Sequence, residues 1–148
     1  MKKYDFAPII VRPFPTLTDV RNPWIFPRKV RHLINVANEE NPEIKEAILA
    51  RGITYEWLPT DERPRMNLPH ILLAVRLLRQ YDAAGEQTIV HCQAGLNRSP
   101  SVVEAYYYCK YHTHLTAEFC GYQNHLIYNC KSGYLPPLED MEHYLQIL

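Results

Sequence analysis

The sequence predicts an α/β fold: one domain over residues 1–148, with a central, mostly parallel sheet of about four to five strands flanked by helices on both faces. Three observations predict it. Short apolar runs of strand length alternate with longer segments whose apolar residues recur at helical spacing. Twelve prolines and five glycines punctuate the chain, many of the prolines at segment edges, which suggests stiff connections rather than a flexible linker. A hydrophobic content of 47% is enough for one core without staples from disulfides or metals.

Residues 6–12 read as a first strand, and 32–37 (HLINVA) as a second. Asn41, Pro42 and Glu43 then form a helix start of cap, proline and acidic first turn, with Ile44, Ile48 and Leu49 on one face and Gly52 as the stop. A strand over 53–58 follows. Residues 59–67 (PTDERPRMN) are polar and proline-marked, hence a loop. Asn67 caps the next helix, which carries Leu68, Ile71, Leu72, Val75 and Leu78 up to Gly85. Residues 88–91 (TIVH) make a short buried strand. Beyond Arg98 come a tyrosine-rich helix to about Tyr111, a helix opened by Thr116 and Glu118 and running to about Cys130, and a last helix from about Pro137. Tyr106, Tyr107 and Tyr108 are consecutive on their helix and point in different directions, so most of them serve packing.

Sixteen basic and sixteen acidic side chains cancel, so the overall charge favours neither nucleic acid nor an anionic membrane as partner. Any preference for an anion must be local. The N-terminal apolar stretch is broken by Asp5, Pro8 and Arg12 and cannot serve as a signal-peptide core, and no run approaches the ~18 apolar residues of a membrane span. A soluble, unexported, cytoplasmic chain is expected, with a monomer as the default. The four cysteines match no zinc spacing, and Cys109, His112 and His114 lack a supporting second pair of ligands. No metal or other cofactor is expected.

The chemistry concentrates in 89–101, IVHCQAGLNRSPS. Cys92 stands at the carboxyl end of a strand, and Arg98 stands where a helix begins. Ligands of open α/β sheets gather at such strand ends. The backbone N–H groups of a loop curling into a helix point at a common centre, and the helix dipole adds positive charge there. Gln93, Ala94, Gly95, Leu96, Asn97 and Arg98 would cradle a phosphate in this way, Gly95 supplying the permissive backbone of a tight curl. Arg98 can set a planar fork on two phosphate oxygens. The same field favours a thiolate at Cys92, a nucleophile able to attack phosphorus and form a phosphocysteine. Ser99 can donate a hydrogen bond to that thiolate when it leaves, and His91 orients the loop rather than carrying protons.

The run HCQAGLNRSPS resembles the phosphate-binding loop of the cysteine-based protein tyrosine phosphatases, in the form common among dual-specificity phosphatases. The match covers His91, Cys92, Gly95, Arg98, Ser99 and Pro100. It implies a phosphatase acting on phosphotyrosine, and on phosphoserine or phosphothreonine as well, in proteins or peptides. The chain is short and carries no tyrosine-containing loop of the kind that deepens the pocket of tyrosine-specific relatives. Similar enzymes place an acidic residue on a loop roughly thirty residues before the cysteine, to protonate the leaving group. Asp61 meets that description, and Glu62 beside it is the alternative. Arg63 and Arg65 read as solvated surface.

Three other readings share these residues. Phosphoinositide phosphatases of the superfamily commonly carry lysines in the loop, where Gln93, Ala94, Leu96 and Asn97 are uncharged here. RNA 5′-triphosphatases have a similar Gly-x-Asn-Arg ending, but Ser99 and Pro100 depart from the residues that usually follow it. A non-catalytic phosphate-binding module has no use for intact Cys92, Arg98 and Asp61 together. No role is assigned to 22–28 or to the tail after Cys130.

Overall fold

Runs rich in β-branched and apolar residues build four strands, β1 (Ile9–Arg12), β2 (Val30–Asn35), β3 (Thr54–Trp57) and β4 (Gln87–His91), of which β2 and β4 are buried almost throughout and β3 is mostly exposed. The computed structural model describes residues 9–61, 67–93, 98–112 and 141–147. Among these, one four-stranded sheet runs in the order β1-β4-β2-β3, with every neighbouring pair parallel. Parallel neighbours require crossovers, and the helices supply them.

Side chains alternate across the sheet and feed two cores. Ile9, Val11, Ile34 and Val90 pack with α3 (Leu68–Ala83), α4 (Arg98–Tyr111) and α5 (Met141–Ile147), through Ile71, Val75, Leu78, Val102, Tyr106 and Leu145. Leu33 and Ile89 point the other way, toward Val20, Phe26 and Ile48, under α1 (Leu17–Arg21) and α2 (Pro42–Ala50). The predicted sandwich of helices on both faces is therefore present. Tyr106 and Tyr107 are buried as expected of packing residues, and Tyr108 is half-buried.

The caps behave as their chemistry dictates. The Asn41 side chain accepts hydrogen bonds from the N–H groups of Glu43 and Ile44, and Asn67 accepts from His70 N–H. Gly52 and Gly85 end the two helices at φ of 74° and 71°, where a Cβ would be strained.

Four expectations are revised. Helix α1 was not predicted, because five residues carry almost no periodicity; its signature is the capping box of Thr16 and Asp19. Leu49 leaves the predicted apolar face and is 49% exposed, since the residue after buried Ile48 lies about 100° further round the helix. Strand β2 starts two residues earlier and ends two earlier than the apolar run, and β3 is trimmed at both ends. The predicted helix at 116–130, residues 6–8 and the start of the last helix lie outside the described residues. Among the described residues, no helix is long and apolar enough to cross a membrane.

Candidate active site

Registered strand ends create the site. Arg12, His91, Asn35 and Trp57 are aligned across β1, β4, β2 and β3 at the carboxyl edge of the sheet. Backbone bonds continue past that edge, from Phe14 N–H to Gln93 C=O (2.9 Å), Val36 N–H to His91 C=O (2.9 Å) and Leu58 N–H to Asn35 C=O (2.8 Å). The segments leaving all four strands are thus tied together at one end, which is where the sequence placed an anion site.

Cys92 is the first residue beyond β4 and is 2% exposed. Its Sγ lies 3.2 Å from the hydroxyl of Ser99, which is buried in the first turn of α4. A sulfur at the amino end of a fourteen-residue helix feels the positive end of its dipole. The structure brings together the nucleophile and hydroxyl named from sequence. Gln93 is exposed beside them, whereas Ala94, Gly95, Leu96 and Asn97 lie outside the described residues.

Arg98 connects this loop to the candidate acid. Its Nη1 donates to Thr60 C=O at 3.2 Å. Thr60 is buried, with its N–H on Val36 C=O and its hydroxyl accepting from Asn67 N–H at 2.5 Å, while His70 Nδ1 bonds Pro59 C=O. Asp61, the next residue, is exposed, and its Oδ1 accepts from Asn38 Nδ2 at 2.5 Å. The acid candidate thus stands on a pinned base with its carboxylate held from the β2 side. Glu62, Arg63 and Arg65 lie outside the described residues.

His91 is fully buried, edge-on to Phe14 with ring centroids 4.7 Å apart, and its Nδ1 is 3.2 Å from Cys92 C=O. A carbonyl only accepts, so Nδ1 carries the proton. Burial lowers the His91 pKa from 6.5 to about 4; the bond to Cys92 C=O opposes that shift and the Arg12 charge adds to it. The ring is neutral near pH 7, in keeping with an orienting role rather than proton transfer.

A stability consequence follows. The unfolded chain takes up a proton as pH falls through about 6.5, and the folded chain refuses it until about 4. Stability present at neutral pH is therefore lost across that window, by about 3 kcal/mol from this group. Urea unfolding of wild type and His91→Gln at about pH 7.5 and about pH 4.5 should show a markedly smaller acid loss in the variant. An equal loss in both would assign the acid sensitivity elsewhere.

Sequence reasoning missed three residues that shape the site. Asn35 is fully buried, accepts from Ala37 N–H at 2.9 Å, and donates to Glu39 C=O at 3.0 Å and to the Tyr55 hydroxyl at 3.1 Å. It folds the turn that presents Asn38. A polar residue inside the run HLINVA was the available signal. Asn38 and Thr60 had none, being polar residues in loops. Among the described residues, no group of three His, Cys, Asp or Glu side chains could hold a metal.

A cysteine directly after a parallel strand, with an arginine opening the helix that follows, is the arrangement of the cysteine-based protein tyrosine phosphatases. The crystal structure of PTPMT1 shares the fold, with a TM-score of 0.70 at 20% identity over 94% of this chain and 92% of that one. So does the core catalytic domain of the PP-IP phosphatase SIW14 from S. cerevisiae, with a TM-score of 0.69 at 14% identity over 98% of this chain and 88% of that one. Residues 24–122 match the family model of the dual specificity phosphatase catalytic domain, and the chain belongs to that family. Dual specificity protein phosphatase 22 from Homo sapiens is 30% identical over 79 residues, which are 53% of this chain and 40% of that protein. This chain therefore spans well under two thirds of the length of that relative.

Proposed function

We propose that this chain hydrolyses phosphate monoesters on phosphorylated side chains of proteins or peptides, through a phosphocysteine on Cys92. The observation that carries the reading is the sulfur of Cys92 3.2 Å from Ser99 Oγ at the amino end of α4, with Arg98 beginning the same helix. The thiolate attacks phosphorus while the phosphorus–oxygen ester bond breaks, and Asp61 in its acid form gives its proton to the departing oxygen. The Asp61 carboxylate then takes a proton from water as that water attacks the phosphocysteine. The sulfur–phosphorus bond breaks, inorganic phosphate leaves, and the Ser99 hydroxyl donates to the restored thiolate.

Surrounding charge supports a peptide over a polyphosphate. A groove of about 670 Å³ opens beside Gln93, lined by Phe14, Thr16 and Ile44 together with Glu39, Glu40 and Glu43. Those carboxylates repel additional phosphates and suit lysine or arginine side chains flanking the phosphorylated residue. PTPMT1 has been solved in complex with PI(5)P and SIW14 is named a PP-IP phosphatase, so lipid and inositol substrates are the second reading.

A turnover panel decides between them: phosphotyrosine, phosphoserine and phosphothreonine peptides with basic or acidic flanks, PI(5)P, inositol phosphates and 5′-triphosphorylated RNA. Basic-flanked phosphopeptides should be turned over fastest. Faster release from inositol phosphates or RNA would sink the peptide reading, and no release from any of them would leave a binding module.

Arg98→Lys should lower kcat/KM for p-nitrophenyl phosphate about a hundredfold, since the point charge of lysine cannot reproduce the fork and abandons the Thr60 carbonyl. Unchanged kcat/KM would remove Arg98 from the site.

A further inference from the structure

At the opposite end of the sheet, the turn between α1 and β2 exposes an aromatic ring in a segment rich in arginine and lysine. Trp24 is 93% exposed. Its turn is closed by hydrogen bonds: Trp24 N–H bonds Asn22 Oδ1 at 2.9 Å, the N–H groups of Ile25 and Phe26 bond Asn22 C=O at 3.0 and 2.8 Å, and Phe26 is fully buried. The indole is thus held out in water by an anchored backbone. Trp57, the other tryptophan, differs in donating its Nε1 hydrogen to Ala37 C=O.

Positive charge flanks this ring along the chain. Residues 20–38 contain Arg21, Arg28, Lys29 and Arg31 and no aspartate or glutamate, and all four cations are exposed. Arg31 is the extra residue where the β2 register shifts between Val30 and His32, and its guanidinium donates to Arg28 C=O at 3.0 Å. Arg51, from the end of α2, donates to Val20 C=O at 2.8 Å and lies 6.0 Å over the Phe26 ring. None of these five forms an ion pair among the described residues. Two acids are engaged elsewhere: the Asp19 side chain accepts from Thr16 N–H at the start of α1 and pairs with Arg12, and Glu86 bonds His32.

We propose that the Trp24 turn and its cations dock this chain on an anionic lipid bilayer surface. Indole rings settle at headgroup depth, where an apolar body and a polar N–H are both accommodated. Clustered arginine and lysine are drawn to acidic headgroups within a Debye length. A ring that touches almost nothing of its own chain would need a dedicated pocket in a protein partner, whereas a bilayer interface accepts it at any azimuth. The neutral net charge of the chain conceals this division, since the Glu39–Glu43 groove lies at the other end of the sheet. Strand β4 alone separates the two ends by about 16 Å, so the docked chain would present its catalytic loop away from the lipid.

Co-sedimentation of the full chain with phosphatidylcholine vesicles, with and without about a third phosphatidylserine, tests this. Binding is expected only to the anionic vesicles, weakening as salt rises and accompanied by a blue shift of tryptophan emission. Trp24→Ala and, separately, Arg28→Glu with Lys29→Glu should each lower partitioning at least about fivefold while leaving p-nitrophenyl phosphate turnover unchanged. Equal binding to neutral vesicles, no binding to either, or full binding by the Trp24 variant overturns the proposal. So does a Trp24-dependent emission change with polyglutamate or a single-stranded oligonucleotide but not with vesicles. Because the readout is binding, failure here leaves the phosphatase reading untouched, and an inactive chain that binds leaves this one standing.

Discussion

Cys92→Ser should lower phosphate release from p-nitrophenyl phosphate by on the order of 10⁴-fold or more, while phosphopeptide still binds. A hydroxyl is far harder to ionise than a thiol, so a serine at this position supplies no alkoxide at neutral pH. Oxygen is also smaller than sulfur and stands further from the phosphorus. Anion affinity should persist, because Arg98 and the loop amides are unchanged. Steady-state turnover together with equilibrium binding of a phosphotyrosine peptide checks both halves. A serine variant with appreciable turnover would contradict the covalent route. One that loses binding while keeping its fold would give Cys92 a structural role, a natural worry for a side chain that also packs against the main core.

Asp61→Asn should slow release of a poor leaving group, such as phenol from phenyl phosphate, by about 10²–10³-fold, yet leave an activated ester nearly unaffected. Amide and carboxylate are close in shape, so the contact to Asn38 can persist while the transferable proton is lost. A steep dependence of the rate on leaving-group acidity is the signature to look for. Equal slowing of both esters would point to Glu62, and Glu62→Gln is the matching control. Asn38→Ala should reproduce part of the effect by releasing the Asp61 carboxylate, since it positions that group without touching the reacting atoms.

The legible parts of this molecule are those whose cause is local. Asn41 and Asn67 cap helices through bonds made within three residues, and Gly52 and Gly85 stop them by conformations open to few other residues. Cys92 and Ser99 were legible as partners because a strand, a short loop and a helix leave them little choice of neighbour. Asn38 was not, since only the pairing of β2 beside β3 carries it to the carboxylate of a loop that follows a different strand. The same is true of Thr60, which reaches Arg98 across the sheet edge.

The sequence by itself determined the alternation of strands and helices, the cysteine-to-arginine loop and the family to which it belongs, because periodicity, caps and loop spacing act over a few residues. Only the tertiary structure decided the strand order β1-β4-β2-β3, the bond that ties Arg98 to the base of the Asp61 loop, and the opposite fates of Trp24 and Phe26. Those depend on which distant surface arrives to cover a residue. Two aromatic side chains two positions apart carry equal reason to be buried, and only the fold determines which of them is covered.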